Sequence, residues 1–185
     1  MMGQNADTSR TAFKVFLPWQ DEEEEKWLEE MAAKGWMVES VLPFFYGFRK
    51  CTPNPLAIRL DYKNTWNKDY QEYLATFRDA GWTLLTTYGH WHYFSINPQN
   101  EMVPEIYNSN RTKALKYRRL LIGLLPIILL LVNPLAHAFD FGSQSYVSGF
   151  DIGLSVFFLL VSLLVIYSFL RVWIKLIQLQ TKHQE

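Results

Sequence analysis

Two histidines and one cysteine are the side chains of this chain with the clearest capacity for chemistry. His90 and His92 alternate in "HWH", so on a strand both would point the same way. Zinc needs further His, Cys or carboxylate ligands at suitable spacing, and because none is apparent we predict no metal site. Cys51 has no activating partner nearby, which favours a small apolar residue over a nucleophile. Without a glycine-rich phosphate loop or a G-x-S-x-G, H-E-x-x-H or Cys-x-x-Cys motif, we expect neither a cofactor nor an enzyme.

A run of acidic residues, 21–25, comes directly before an apolar helical stripe. At the start of a helix these carboxylates would face the positive end of the helix dipole, and Asp21 with Glu24 would form a capping box. A site for a metal ion or a basic partner is the alternative. We predict the structural role.

A repeat indicates which elements position these residues. "KWLEEMAAKGW" and "EYLATFRDAGW" lie forty-six residues apart, and this offset places Leu28 on Leu74 and Gly35 on Gly81. Each copy has the pattern strand, helix, strand, strand. The predicted elements of the first copy are a strand at 13–19, a helix from Asp21 to Gly35 and strands at 36–42 and 44–50. Those of the second copy are a strand at 56–63, a helix at 67–81 and strands at 82–88 and 90–96.

The predicted fold class is α+β. Neither copy can bury its apolar face alone, so the two should share one core. We expect duplicated β-α-β-β units that form a mainly antiparallel sheet with two helices on one face, ferredoxin-like or effector-binding-domain-like. A two-helix transmembrane hairpin should follow.

Strand alternation separates two faces of the predicted sheet. One phase should lie under the helices: Trp36, Val38, Phe48, Trp82, Leu84 and Phe94. The other phase mixes aromatic and charged side chains, and no further helix remains to cover it. An exposed aromatic face indicates binding of a small apolar or cationic ligand, a partner protein or another copy. The predicted binding residues are Glu39, Phe45, Arg59, Asp61, Trp91 and Tyr93.

Apolar stretches dominate the second half. Residues 120–170 contain no Lys or Arg, and the segments 120–139 and 152–170 contain no charge at all. As helices each would be about 28–30 Å long, enough to cross a hydrocarbon core. We predict two transmembrane helices, 120–139 and 152–174. Because no ionisable group lies at mid-depth, we expect an anchor, with a homodimer through these helices as one alternative, and no transport path.

Basic residues flank the predicted spans, and the loop between them, 140–151, has none. By the positive-inside rule both termini are cytoplasmic and the protein is a multi-pass protein of the cell membrane. The net charge of zero gives no indication of nucleic-acid binding. The flanking basic residues, which could also contact anionic lipid, are Arg111, Lys113, Lys116, Arg118, Arg119, Arg171 and Lys175.

The expected domain organisation follows from these patterns. A disordered leader, 1–11, precedes a cytoplasmic domain, 12–98, with repeats at 12–52 and 55–97. A linker and basic segment, 99–119, then leads to the spans and to a cytoplasmic tail at 175–185.

Residues 13–96 carry a family resemblance. The stretches "FLPW", "EEKWLEEMAAKGW", "YGFRK", "IRLDYK", "EYLATFRDAGW" and "HYFSI" resemble the uncharacterised bacterial domain-of-unknown-function family 2812. The resemblance implies C-terminal membrane spans and a gene beside PadR-type transcriptional regulators, and it carries no activity or site residues. By topology alone, duplicated β-α-β-β units are also similar to gyrase-inhibitor-like effector-binding domains, which bind small hydrophobic molecules between their halves.

The resulting hypothesis is a membrane-anchored cytoplasmic binding or sensor module for a hydrophobic ligand or partner protein. The resemblance links it to PadR-type regulation. The alternative is a structural or accessory subunit of a membrane complex such as a transporter. An enzyme is the third and least favoured hypothesis because no acid, base and nucleophile converge in the sequence.

Overall fold

The computed structural model describes residues 8–98, 110–139 and 149–181. Two compact units, Met1–Asn108 and Ser109–Glu185, divide the chain. The described elements of the N-terminal unit are β1 (Ser9–Phe13), α1 (Asp21–Ala33), β2 (Trp36–Leu42), β3 (Phe45–Lys50), β4 (Ala57–Tyr62), α2 (Tyr70–Asp79), β5 (Thr83–Tyr88) and β6 (Trp91–Ile96). Those of the C-terminal unit are α3 (Asn110–Phe139) and α4 (Gly149–Thr181).

Each repeat forms its own three-stranded antiparallel sheet. The first sheet has the order β1-β3-β2 and the second has the order β4-β6-β5. Strands β2 and β5 contact each other without a hydrogen-bonded ladder, so the single predicted sheet is in fact two. Both strands are interrupted by a bulge, at Glu39 and at Leu85, and a bulge disrupts regular pairing. The two bulges are themselves equivalent at the forty-six-residue offset.

The first strand differs most from its prediction. It begins at Ser9 and ends at Phe13, because the backbone of Ser9–Phe13 pairs with β3. Residues 14–20 leave the sheet towards α1, where Phe16 packs on Trp27 and Tyr46. The predicted leader is therefore too long: residues 9–11 belong to β1, while residues 1–7 lie outside the described part of the chain. Every other predicted strand of this unit agrees with the structure to within one residue at each end.

The helix ends follow the predicted glycines. Gly35 and Gly81 have φ of +84° and +85°, a conformation that glycine adopts without a Cβ penalty and that ends a helix sharply. The predicted capping box is wrong, because Gln20 precedes the helix and no side chain caps it. Glu24 instead makes the tertiary contacts described below.

One hydrophobic core joins both repeats around α1. Leu28, Met31 and Ala32 of this helix pack with residues of the first sheet and with Ile58, Leu60 and Tyr93 of the second. Helix α2 contacts the opposite face of the second sheet, where Phe77 stacks on Phe94 at 4.2 Å. The second sheet therefore has a helix on each face, which differs from the prediction of two helices on one face.

The C-terminal unit consists of α3 and α4, which pack against each other. Helix α4 is the one helix among the described residues that is long and apolar enough to cross a membrane, with a mean hydropathy of 2.5. It contains the predicted span 152–174 and continues to Thr181, so most of the predicted tail is helical. The predicted span 120–139 lies within α3, and its insertion in a membrane stays a prediction. Of the predicted external loop, residues 140–148 lie outside the described part of the chain.

Candidate functional site

A cleft in the N-terminal unit is lined by both repeats. Its volume is about 210 Å³. Residues 14–18 and helix α1 form one side, the turn between β2 and β3 another, and strands β5 and β6 close it. Six of the fourteen lining residues are aromatic: Phe16, Phe44, Tyr46, Tyr88, Trp91 and Tyr93.

Glu24 lies at the floor of this cleft. Its position on α1, four residues before Leu28 and seven before Met31, places it on the buried face of the helix. One carboxylate oxygen, Oε1, accepts hydrogen bonds from the hydroxyls of Tyr46 and Tyr93, both at 2.8 Å. Burial raises the pKa of Glu24 despite these two donors, and the charge of Asp21 raises it slightly further.

The two phenols are permanent donors to Glu24. Burial, together with the negative charge of Glu24, raises the pKa of Tyr46 and of Tyr93 far above the ordinary tyrosine range. Both hydroxyls therefore keep their protons at any physiological pH, so the buried carboxylate is their acceptor throughout.

Two further charged residues line the cleft. Asp21 is almost fully buried in the first turn of α1, so the floor carries two carboxyl groups. Lys14 lies at the exposed rim, with Nζ 5.8 Å from the centre of the Phe16 ring. The floor therefore favours positive charge, and Lys14 is a rim cation that opposes an incoming one.

The neighbouring glutamates of α1 fix this helix against the second sheet. Glu25 accepts a hydrogen bond from the backbone N–H of Leu60 at 2.8 Å, and Glu29 accepts one from Ile58 at 3.0 Å. Strand β4 is an edge strand, so these carboxylates satisfy N–H groups that have no partner strand. This attachment explains why α1 covers the sheet face that carries Trp91 and Tyr93, which was predicted from the sequence to be exposed.

The structure brings together two of the six predicted binding residues, Trp91 and Tyr93, which line the cleft. Arg59 and Asp61 pair with Phe94 and His92 in the β4–β6 register, so they start from the opposite face of the sheet. The Arg59 guanidinium forms a salt bridge with Glu29 at 2.7 Å. The buried Asp61 carboxylate accepts a hydrogen bond from the Tyr73 hydroxyl.

The remaining two lie on the first sheet, outside the cleft lining. Glu39 is exposed at the β2 bulge, 3.9 Å from Arg49. Phe45 is exposed beside Phe13, with the ring centroids 5.4 Å apart.

The histidines form a second polar cluster between α2 and the second sheet. His92 is fully buried, its Nδ1 faces the carbonyl oxygen of His90 at 3.1 Å, and its Nε2 lies 2.9 Å from the Tyr70 hydroxyl. We assign the proton to Nδ1, so Nε2 accepts from Tyr70. Burial lowers the pKa of His92, which keeps the ring neutral. In the described part of the chain no three potential metal ligands converge.

This cluster is the counterpart of the Glu24 site in the other repeat. The forty-six-residue offset places Glu24 on Tyr70 and Tyr46 on His92, and each pair is hydrogen-bonded. In the second repeat the aromatic rings of α2, such as the stacked Tyr70 and Tyr73, occupy the position that corresponds to the cleft. The cleft is therefore a feature of the first repeat, completed by strands of the second.

Sequence reasoning missed Asp21, Glu24, Phe16 and Tyr46. The helical period contained a signal for the two acids, because Asp21 and Glu24 stand seven and four residues before Leu28 on the apolar stripe. For Phe16 the signal was hidden by the assignment of residues 13–19 to a strand.

The predicted membrane-flanking basic residues belong to α3 and α4. Lys116 and Lys175 approach the Tyr117 ring, with Nζ at 5.3 and 5.0 Å from its centre. The start of α3 and the end of α4 therefore lie side by side. Lys113, Arg118 and Arg119 are on the same segment of α3 and Arg171 is one turn before Lys175, while the side chain of Arg111 lies outside the described residues.

Comparison with known proteins identifies a family. The pattern of the family described as protein of unknown function (DUF2812) matches residues 20–130, well over half of the chain. This chain belongs to that family. The match begins at α1 and reaches into α3, so the DUF2812 region includes the start of the helical unit and the cleft lining other than residues 14–18. No curated protein and no solved structure shows significant similarity to the chain.

Proposed function

We propose that this DUF2812 protein is a membrane-anchored binding module whose cleft takes a small organic cation with an apolar or aromatic body. The observation that carries the proposal is Glu24, a buried carboxylate with a raised pKa among aromatic rings. The volume of about 210 Å³ suits a ligand of one ring, since drug-sized ligands occupy clefts of about 300–1,000 Å³.

The electrostatics of the floor favour positive charge. Burial penalises the ionised form of Glu24, and a bound cation would remove that penalty by supplying the opposite charge. Trp91 and Phe16 line the cleft, and an aromatic ring beside a bound cation adds cation–π attraction, which is strongest for tryptophan. Binding therefore lowers the pKa of Glu24, and affinity rises with pH through the pKa of the ligand-free protein.

The helical unit is proposed as the anchor. Helix α4 meets the length and composition of a span, and residues 120–139 of α3 contain no charge. The side-by-side basic ends of α3 and α4 support a hairpin with both ends on the cytoplasmic side. A sensor role linked to PadR-type regulation stays a prediction from the family resemblance.

The test is a calorimetric titration of the full-length protein in detergent micelles at pH 7.5. The probes are phenyltrimethylammonium and its neutral isostere 2-phenyl-2-propanol. We expect the cation to bind at least about tenfold more tightly, a difference of about 1.4 kcal/mol. Glu24→Gln should abolish this preference, whereas Glu23→Gln, at an exposed neighbouring position, should retain it.

Equal affinity for the two probes, or an unchanged preference in Glu24→Gln, would contradict the cation proposal. Failure of both probes to bind would favour a protein partner and the role of an accessory subunit.

A further inference from the structure

We propose that an apolar patch beside the cleft docks on the surface of an anionic lipid bilayer. The patch comprises Phe13, Val15, Leu42, Phe44 and Phe45, whose exposed fractions run from 46% for Val15 to 66% for Phe13. The proposal rests on the membrane anchor proposed above and assigns a partner to a surface next to the cleft, which shares Leu42 and Phe44 with the cleft lining.

The strand register makes the patch contiguous. Phe13 of β1 and Leu42 of β2 are both direct partners of Phe45 on the central strand β3, so the three side chains form a row across the sheet. The Phe13 ring lies 5.4 Å from Phe45 and 6.4 Å from Phe44. The patch is therefore one surface at the end of the first sheet.

The patch is also continuous with the mouth of the cleft. Leu42 and Phe44 line the cleft as well as the patch, and Lys14, between Phe13 and Val15, lines the cleft next to the patch. A partner that covers the patch consequently lies against the opening through which a ligand enters.

The extent of the patch favours lipid over a second copy of the chain. At about 200 Å² for a whole aromatic side chain, the five residues expose roughly 500 Å². A stable dimer needs about 800 Å² from each partner, whereas insertion of a few apolar side chains in a bilayer has no such threshold.

Covalent tethering and charge add to this preference. A chain anchored by α4 keeps its N-terminal unit at high effective concentration near the bilayer, since eleven residues connect Pro98 to Asn110 and reach at most about 40 Å. Lys14 is an exposed cation next to the patch, where anionic headgroups would meet it.

Spin labels on the full-length protein in vesicles of phosphatidylcholine and phosphatidylglycerol test this surface. In a Cys51→Ser background, which removes the one native cysteine, labels are placed by Phe45→Cys, by Phe13→Cys and, as a control, by Trp66→Cys. Trp66 is a suitable control because it is also an aromatic residue, is 85% exposed and lies outside the patch. We expect the two patch labels to collide with oxygen more than with a water-soluble nickel chelate, and the control label to show the reverse.

The proposal would be overturned if the labels at both patch positions collided with the nickel chelate as often as the label at position 66 does. Strong dipolar coupling between labels of two copies would also overturn it and assign the patch to a homodimer. The unmodified protein, titrated with phenyltrimethylammonium in detergent, separates the two proposals because no bilayer is present; Phe13→Ser should also retain cation binding, since Phe13 does not line the cleft. Retained cation binding with no membrane contact refutes docking alone, and membrane contact with no cation binding refutes the cleft ligand alone.

Discussion

Removal of the Glu25 carboxylate tests whether α1 is attached to the edge of the second sheet. The side chain is 10% exposed, accepts from the Leu60 amide at 2.8 Å and lies 3.9 Å from the Arg59 guanidinium. Glu25→Ala would leave a buried N–H without its charged acceptor, a loss of about 1.5–3 kcal/mol. For a domain of this size each kcal/mol lowers the melting temperature by about 4–8 °C, so we expect a drop of roughly 6–24 °C.

The assay is urea unfolding of the fragment 1–108, which has its own hydrophobic core, followed by tryptophan fluorescence. Glu23→Ala is the matched control, because it makes the same change at an exposed position of the same helix and gains the same helix propensity. Faster hydrogen exchange of the Leu60 amide should accompany the loss in Glu25→Ala. Unfolding free energies of the two variants within about 0.5 kcal/mol of each other would refute the attachment.

Three further predictions concern the cleft. Trp91→Leu should weaken phenyltrimethylammonium binding about 2- to 30-fold in calorimetry, because an aromatic face stabilises a bound cation by about 0.5–2 kcal/mol. Undiminished affinity would exclude Trp91 from the site. Lys14→Gln should strengthen cation binding by up to about fivefold at low salt and less at high salt, since it removes a like charge from the exposed rim. A change in affinity that does not depend on salt would contradict this electrostatic explanation. Because burial raises the pKa of Glu24 in the folded state, its stabilising contribution is present below the ordinary glutamate pKa and is lost as pH rises through the raised value. Urea unfolding should therefore show Glu24→Gln gaining stability relative to the unmodified protein as pH rises through that window, and a constant difference would contradict the raised pKa.

Local patterns predicted the elements of the N-terminal unit well. The forty-six-residue repeat, the glycines at 35 and 81 and the alternation of the strands are local signals. Seven elements follow β1 in this unit, and all of them except helix α2 keep their predicted bounds to within about two residues. Helix α2 begins at Tyr70, three residues after its predicted start, because the turn at residues 65–69 precedes it.

The faces of the strands could not be predicted from alternation. The bulges at Glu39 and Leu85 shift the side-chain phase within a strand, so Val38 and Val41 are both buried although they are three residues apart. The position of α1 over the second sheet depends on contacts of Glu24 with Tyr93, and of Glu25 and Glu29 with strand β4, which lie more than twenty positions away in the sequence. A prediction based on neighbouring residues has no access to such contacts.

The central claim is that Glu24 is the counter-charge of a cation bound in the cleft, and a carbon-13 NMR titration of its carboxyl group tests this most directly. The signal is assigned by its loss in Glu24→Gln, and its pH midpoint is measured alone, with saturating phenyltrimethylammonium and with 2-phenyl-2-propanol. The account predicts a midpoint above the ordinary glutamate value in the free protein, a lower midpoint with the cation and no decrease with the neutral isostere. A midpoint that the cation leaves unchanged at saturation would contradict the account.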